Sequence, residues 1–506
     1  MDIGIPKRLV LINASMSVVQ VVAISGTFFV LYRLLLDTIG VEQLGIWSLV
    51  LATTSFAQIA NLGISGGIVK FVAKYVARSE VRNVYDVIQT AVISIGILVG
   101  VVLCAGYPFI KWVLLRAVPD SSAGDVVQLL PYSVLSLWLG MVTGVFQSGL
   151  DGFQKIYIRN FLNIGNSALY ALSCVALAPR YGLIGLAYAQ VITSVVMLIV
   201  SWISIKKYLP ELPIIPHQWN TTLFKEIIAY GVNFQVMSVV AMLCDPITKV
   251  FLGKFGGLSM VGYFDMANKM LQQFRALIVS ANQVLVPAIA GLQETTPKKI
   301  HSVYLTSYRL LFYLSFPLYS LAIISLPTIS RIWIGRYEGV FVVFGTMLGI
   351  GWLLNILNAP AYFSYLGIGD LRWNVISHLT AGLLNAGLGY TLGTAYGGIG
   401  VVWGWVVSLA LGSSVPYVAY HLSFGIPLRE LVPRASRMLM GVCCTGVLLE
   451  NVISHRFGRV IDPLALNGAL VGVFAVMVVT VLWLHPMRKQ LFGWVRNEMV
   501  KTKATT

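Results

Sequence analysis

The chain has 506 residues, of which 57% are hydrophobic and only 11% charged; its mean hydropathy is +0.82 and its formal net charge +16. A soluble domain carries roughly 25% charged residues, so this composition excludes a water-soluble globular protein and places the chain in a bilayer. The five cysteines, Cys104, Cys174, Cys244, Cys443 and Cys444, have neither disulfide nor metal-ligand spacing and fall inside apolar runs, as small buried side chains do.

A helix needs about 20 apolar residues to cross a ~30 Å hydrocarbon core at 1.5 Å per residue. Fourteen such runs follow one another, at 9–32, 44–66, 87–107, 126–149, 160–178, 184–205, 227–252, 261–288, 304–330, 340–366, 374–394, 400–424, 437–454 and 464–484. The expected fold is an all-α polytopic membrane protein with 14 transmembrane helices. The first run follows Lys7 and Arg8 and runs into Arg33 with no small-residue cleavage pattern, so it reads as a retained helix.

Cytoplasmic loops carry the excess of Lys and Arg. With the N-terminus inside, twenty-two of the 35 basic residues fall on the cytoplasmic side and ten on the other, which predicts both termini in the cytoplasm. Much of the net charge is then an orientation signal and calls for no nucleic-acid partner.

The runs repeat. Tyr181-Gly182-Leu183-Ile184-Gly185 returns as Tyr396-Gly397-Gly398-Ile399-Gly400, and Gly40 with Leu44-Gly45-Ile46-Trp47 returns as Gly257 with Val261-Gly262-Tyr263-Phe264. Two echoes at nearly one offset predict two copies of one bundle, and six spans per copy make the copies parallel. The expected domains are an N-lobe at 1–208 (spans 1 to 6), a cytoplasmic linker at 209–225 with Pro210, Pro213 and Pro216 in and around it, a C-lobe at 226–425 (spans 7 to 12), an appended helix pair at 426–485, and an amphipathic cytoplasmic tail at 486–506.

Catalytic and energy-coupling motifs are missing. There is no Gly-x4-Gly-Lys-Ser/Thr loop, no Asp-x-Asp, no His-Glu-x-x-His and no Cys-x-x-Cys. The reading is a non-enzyme without cofactor or metal. Lone histidines such as His378 and His421 read as hydrogen-bonded structural residues.

Charge inside the spans is informative, because each ionisable group there costs at least ~2.5 kcal/mol to insert and so faces a bundle interior or a watery cavity. The eighth span carries Asp265, Lys269 and Arg275. Asp265, Asn268, Gln272, Arg275 and Asn282 step by three, four, three and seven and so share one face. Entering near Val261, that helix puts Lys269 ~12 Å deep and Arg275 ~21 Å deep. The seventh span holds Asp245-Pro246 and Lys249, with the proline expected to break the backbone ladder. One reading pairs Asp245 with Lys249 and Asp265 with Lys269 to neutralise insertion cost. The other makes Arg275, Lys269, Lys249 and Arg33 a staggered cationic path for an anionic substrate, lined by Asn61, Gln272 and Asn268, with Asp245 and Asp265 as the candidates for ion or proton coupling. Arg33 has Asp37 beside it at the rim. The Gly63-to-Gly67 run reads as close helix packing, and Lys70 and Lys74 as inner-surface charges.

Leu44-Gly45-Ile46-Trp47, Ala60-Asn61-Leu62-Gly63-Ile64-Ser65, Asp151-Gly152-Phe153-Gln154-Lys155 and Tyr181-Gly182-Leu183-Ile184-Gly185, in this order over nearly the whole chain, resemble the polysaccharide transporters. These are the O-antigen and capsule flippases of the multidrug/oligosaccharidyl-lipid/polysaccharide exporter superfamily. The resemblance implies two six-helix lobes in a V around a cavity lined by spans 1, 2, 7 and 8. It implies a polyprenyl-pyrophosphate-linked glycan as substrate, membrane lipids and other polysaccharide-assembly proteins as partners, and the bacterial inner membrane as location. No site residue carries over by motif.

A peptidoglycan-precursor (lipid II) flippase ranks second, since it shares fourteen spans and a cationic cavity. A cation-coupled multidrug exporter follows, usually with twelve spans. A membrane glycosyltransferase or polymerase would need an acidic motif and a large external loop, and the sequence has neither.

Overall fold

The computed structural model describes residues 7–54, 64–282, 289, 292–293, 296, 298–457 and 463–488. Asn61 lies outside the described residues, as does the tail from Lys489 onward. Among the described residues every regular element is helical. Among the described residues nine helices are long and apolar enough to cross a membrane, so this is a multi-pass membrane protein.

In chain order the helices are α1 Lys7–Thr38, α2 Gly40–Thr54, α3 Ile64–Ala77, α4 Val81–Ala117, α5 Ala123–Gly152, α6 Ile156–Tyr181, α7 Leu183–Lys206, α8 Thr221–Gly256, α9 Leu258–Asn282, α10 Lys298–Trp333, α11 Gly339–Ile368, α12 Arg372–Phe424, the single turn α13 Leu428–Leu431, α14 Arg434–Phe457 and α15 Pro463–Leu484. Helix α12 has 53 residues. At 1.5 Å per residue that is ~80 Å, more than twice the hydrocarbon core, and its path changes at Gly397, whose φ is 63° and ψ −149°. The apolar runs 374–394 and 400–424 are the two halves either side of that residue.

The sequence echoes are backbone echoes. Gly182, between α6 and α7, has φ 58° and ψ −135°, nearly the conformation of Gly397. Gly40, between α1 and α2, has φ 80°, and Gly257, between α8 and α9, has φ 84°. Glycine recurs at these turns because a Cβ disfavours positive φ.

The chain packs as two compact units. One comprises Met1–Met266 with Ala386–Val401, the other Ala267–Asn385 with Val402–Thr506. Unit 1 therefore holds, besides the first repeat, α8, the start of α9 and the stretch around Gly397. Its core gathers Ile68 and Val72 of α3, Ile88 and Ile95 of α4, Val145 and Leu150 of α5, Ile205 of α7 and Ile227 of α8. The Asp151-to-Lys155 motif turns α5 into α6, with Asp151 paired to Arg159 and Gly152 seated against Val72. The stretch around Gly397 packs on α8, where the Tyr390 ring lies 6.0 Å from Phe251 and 5.8 Å from Phe255.

The proline-rich linker is fastened to α4. The Gln89 side chain accepts from the backbone N–H of His217 and of Gln218, at 3.2 and 3.3 Å. Thr90 accepts from Asn220 N–H, Ser94 from the Trp219 indole, and the Tyr85 hydroxyl from Glu211 N–H. Asn220 then caps α8 by accepting from Thr222 and Leu223 N–H, which satisfies two of the orphan donors of a helix start.

Unit 2 is centred on α10, whose Tyr304, Tyr308, Phe312 and Ile324 pack with Tyr365 of α11, Tyr420 of α12, Leu439 of α14 and Phe474 of α15. Gly446 of α14 lets the Phe474 ring lie against its backbone.

Candidate functional site

Two polar clusters form inside the helices, one in each unit. In unit 1, Asp245 and Lys249 stand one turn apart on α8, and Asp265 lies on α9 beyond the Gly257 turn. The Lys249 ammonium donates to Asp265 Oδ1 at 2.6 Å and pairs with Asp245 Oδ2 at 2.9 Å. Asp265 Oδ2 accepts from the Tyr32 hydroxyl of α1 at 2.6 Å. The Lys249 and Asp265 side chains are only 6% and 1% exposed, whereas Asp245 is 39% exposed. The i,i+4 pair Asp245–Lys249 expected from the sequence is present, and Asp265 joins it from the next helix. Helix α8 continues on both sides of Pro246, which has no N–H for its own ladder bond, and just beyond it the Thr248 hydroxyl donates to the Cys244 carbonyl.

The pairing has a geometric origin. Lys249 and Asp265 stand eight residues before and eight after Gly257, and residues equidistant from the turn of an antiparallel helix pair come opposite each other. Tyr32 stands eight residues before Gly40, so it is the first-repeat counterpart of Lys249. Both counterparts reach the same carboxylate.

In unit 2, α9 meets α11. Asn268 and Arg275, two turns apart on one face of α9, oppose Trp352 and Asn355, three residues apart on one face of α11. The Trp352 indole donates to Asn268 Oδ1 at 2.9 Å, and Arg275 Nε donates to Asn355 Oδ1 at 2.9 Å. The guanidinium carbon lies 5.1 Å from the Trp352 ring centre, within cation–π range. Tyr319 of α10 is fully buried, donates to the Leu271 carbonyl and stands beside Arg275. Tyr362, farther along the same face of α11, and His378 of α12 share a 3.3 Å hydrogen bond and lie within electrostatic range of the guanidinium. Among the described residues no carboxylate lies within ion-pair distance of Arg275.

The other sequence candidates divide as follows. Arg33 pairs with Asp37 at 3.1 Å, both part-exposed. Gln272 is exposed, and Lys269 is of intermediate exposure on α9. Asn268 is buried and positions Trp352. Tyr32, Trp352, Asn355 and Tyr362 were not among the candidates. Tyr32 could have been found by applying the repeat offset to Lys249, while the α11 residues carry no local signal.

Among the described residues no group of three or more His, Cys, Asp or Glu is arranged to hold a metal.

The profile of the family described as polysaccharide biosynthesis protein matches residues 30–337. The chain belongs to this family. Solved structures of similar fold include the lipid II flippase MurJ in an inward closed conformation, with a TM-score of 0.71, 12% identity, 94% of this chain covered and 99% of that one. They also include an inward-facing MATE family multidrug transporter of the MOP superfamily, with a TM-score of 0.66, 15% identity and coverage of 79% and 94%. A MOP superfamily transporter from Pyrococcus furiosus, described as having a binding pocket of reversed polarity, gives 0.57 at 14% identity, with 82% and 95% covered. At these identities the likeness is one of fold. No curated protein sequence matches the chain. The chain thus resembles these structures in fold, and its backbone pattern is doubled at the glycine turns.

Proposed function

We propose that this protein is a flippase that carries a polyprenyl-pyrophosphate-linked oligosaccharide, the repeat unit of an O-antigen, capsule or exopolysaccharide, across the bacterial inner membrane by alternating access. The observation that carries the reading is Arg275. Its Nε is held by Asn355 and its face by Trp352, which leaves the two terminal nitrogens of the guanidinium as a fixed donor edge with no carboxylate on it among the described residues. A guanidinium edge matches a phosphate in bidentate fashion, and a cation kept inside an apolar bundle marks a substrate path.

In this mechanism the diphosphate and glycan leave the cytoplasmic leaflet for Arg275 while the prenyl tail stays in lipid. The repeat copies then rock to open the other side. The proposed frame has fourteen spans with both termini cytoplasmic, lobes at 1–208 and 226–425 and an appended helix pair. Lys269 and the exposed Gln272 extend the polar surface of α9. Lys249 and Arg33, each held by carboxylates, serve the protein's own charge balance, and Asp245 and Asp265 are the groups proposed to take up a coupling ion or proton. No bond is made or broken, and no cofactor takes part. The assembly enzymes that build and polymerise the glycan are the proposed partners.

The second reading is a lipid II flippase, favoured by the fold likeness to MurJ over nearly the full length of both chains. Vesicles containing the purified protein and either a polyprenyl-diphosphate oligosaccharide or lipid II, with and without ion gradients, separate the two. The first reading requires flipping of the oligosaccharide lipid and its loss in Arg275→Gln at equal abundance. Flipping of lipid II alone would establish the second, and wild-type flipping by Arg275→Gln would remove Arg275 from the path.

A further inference from the structure

We propose that Tyr362 and His378 form a second phosphate seat beside Arg275, so that the site selects a diphosphate over a monophosphate and does so more strongly as His378 gains a proton. The inference rests on the reading of Arg275 as the substrate cation and adds to it the residues of a second seat and a pH dependence.

Trp352, Asn355 and Tyr362 step by three and seven along α11 and so share the face that meets α9. Tyr362 lies ~10 Å beyond Asn355 along the axis and within electrostatic range of the Arg275 guanidinium. The Tyr362 hydroxyl is 3.3 Å from His378 Nε2, with the rings edge-on at 5.7 Å. Tyr362 is itself fixed from behind, since the Asn374 side chain donates to its carbonyl at 3.1 Å. Arg275, Asn355, Tyr362 and His378 all keep part of their surface accessible, while Trp352, against the guanidinium, is buried.

The chemistry follows from the imidazole. When neutral, His378 Nε2 can accept the Tyr362 hydrogen, which takes the tyrosine out of use as a donor. When protonated, both ring nitrogens donate, Tyr362 accepts from Nε2, and its own hydrogen turns outward to a ligand oxygen. One proton thus adds a positive charge and releases a second donor. Besides Tyr362, the titratable group within electrostatic range of this pair among the described residues is Arg275 on α9, whose charge opposes protonation of His378 until an anionic ligand lies between them. A monophosphate fills the Arg275 edge alone. A diphosphate reaches both seats.

The test uses the full-length protein in lipid nanodiscs, with geranylgeranyl diphosphate and geranylgeranyl monophosphate as probes and binding measured between pH 6 and pH 8. The wild type is expected to prefer the diphosphate by about tenfold at pH 6, with a smaller preference at pH 8. His378→Gln keeps a polar side chain but cannot take up a proton, so its preference should be small and its pH response that of the ligand alone. Because the ligand's titration is common to both proteins, the difference between them belongs to His378. If His378→Gln keeps the wild-type preference and its pH slope, the second seat is wrong and Arg275 stands. If Arg275→Gln binds both probes as the wild type does, the underlying reading fails. Should His378→Gln fail to fold, Tyr362→Phe decides: full retention of the preference overturns the seat, and its loss supports it.

Discussion

Gly45 of α2 and Gly262 of α9 press backbone to backbone. A Cβ on Gly45 would lie 2.0 Å from the Leu258 carbonyl oxygen, and one on Gly262 2.6 Å from the Val41 carbonyl oxygen. The contact is reciprocal. Val41 and Leu258 are counterparts at the same offset as Gly45 and Gly262, and so are Glu42 and Ser259, which hydrogen-bond across the crossing 217 positions apart. Such mutual contact between equivalent positions is the mark of a two-fold axis, here an internal one that passes between two helices of the same unit.

That crossing tolerates no side chain. Gly45→Ala and Gly262→Ala each place a methyl against backbone that has no rotamer to yield, at a cost of about 1–3 kcal/mol. The helix pair can avoid the clash by moving apart at this crossing. In a cysteine-free background, a disulfide between Glu42→Cys and Ser259→Cys should form readily, and either alanine should reduce its yield several-fold. Equal cross-linking with and without the alanines would show that the contact does not hold the helices together.

Lys249 and Asp245 should differ sharply on substitution. Removing Lys249 withdraws the ammonium from two carboxylates, one of them almost fully buried, and loss of one partner from a buried ion pair costs about 3–5 kcal/mol. Asp245 is 39% exposed, where an ion pair contributes about 0–1 kcal/mol. Thermal unfolding of the purified protein should therefore show a large loss for Lys249→Gln and a small one for Asp245→Asn. Comparable losses would contradict the burial argument.

The Asn268–Trp352 bond positions Arg275 from beneath. Asn268→Leu leaves the buried indole N–H without its acceptor, at about 1–3 kcal/mol, and Trp352→Phe removes the donor and shrinks the aromatic face toward the guanidinium. If the two side chains act through each other, the double substitution destabilises by less than the sum of the single ones. Strict additivity in the unfolding temperatures would count against the coupling.

Glu80 and Ser121 mark the two ends of α4, whose 37 residues span ~55 Å. Single cysteines there should lie on opposite sides of the membrane, with Ser121→Cys labelled from outside and Glu80→Cys only after permeabilisation, as the basic-residue asymmetry implies. Labelling of both from the same side would overturn the topology.

Legibility in the sequence followed the physics of each feature. The glycine echoes could be read because positive φ and backbone contact restrict the residue type at one position, independent of the rest of the fold. The Asp245–Lys249 pair was equally local, one turn of one helix. Lys249 and Tyr32 reach Asp265 from two other helices, contacts that the one-turn spacing along α9 does not reveal. The Lys249 contact follows from reflection through Gly257, a rule that needs the turn to be located first. Asn355 lies 80 positions from Arg275, and a neutral side chain on an apolar helix gives no sign of such a partner. Single-helix periodicity found the polar face of α9 but not what covers it.

Gly182 and Gly397 have a bearing on the ancestry of the chain. Their φ near +60° with ψ near −140° mirrors an extended residue, a region that side-chain-bearing residues essentially do not enter. Three positions on, Gly185 and Gly400 each face a helix carbonyl, of Leu177 and Leu392, that a Cβ would strike. Apolar positions along the helices can exchange Leu, Val, Ile and Phe with little penalty while one face stays buried, so the two copies were free to drift apart there. At these four glycines a mutation meets strained backbone or a collision, and drift is arrested. The turns therefore hold the register of the two copies where the helices between them do not.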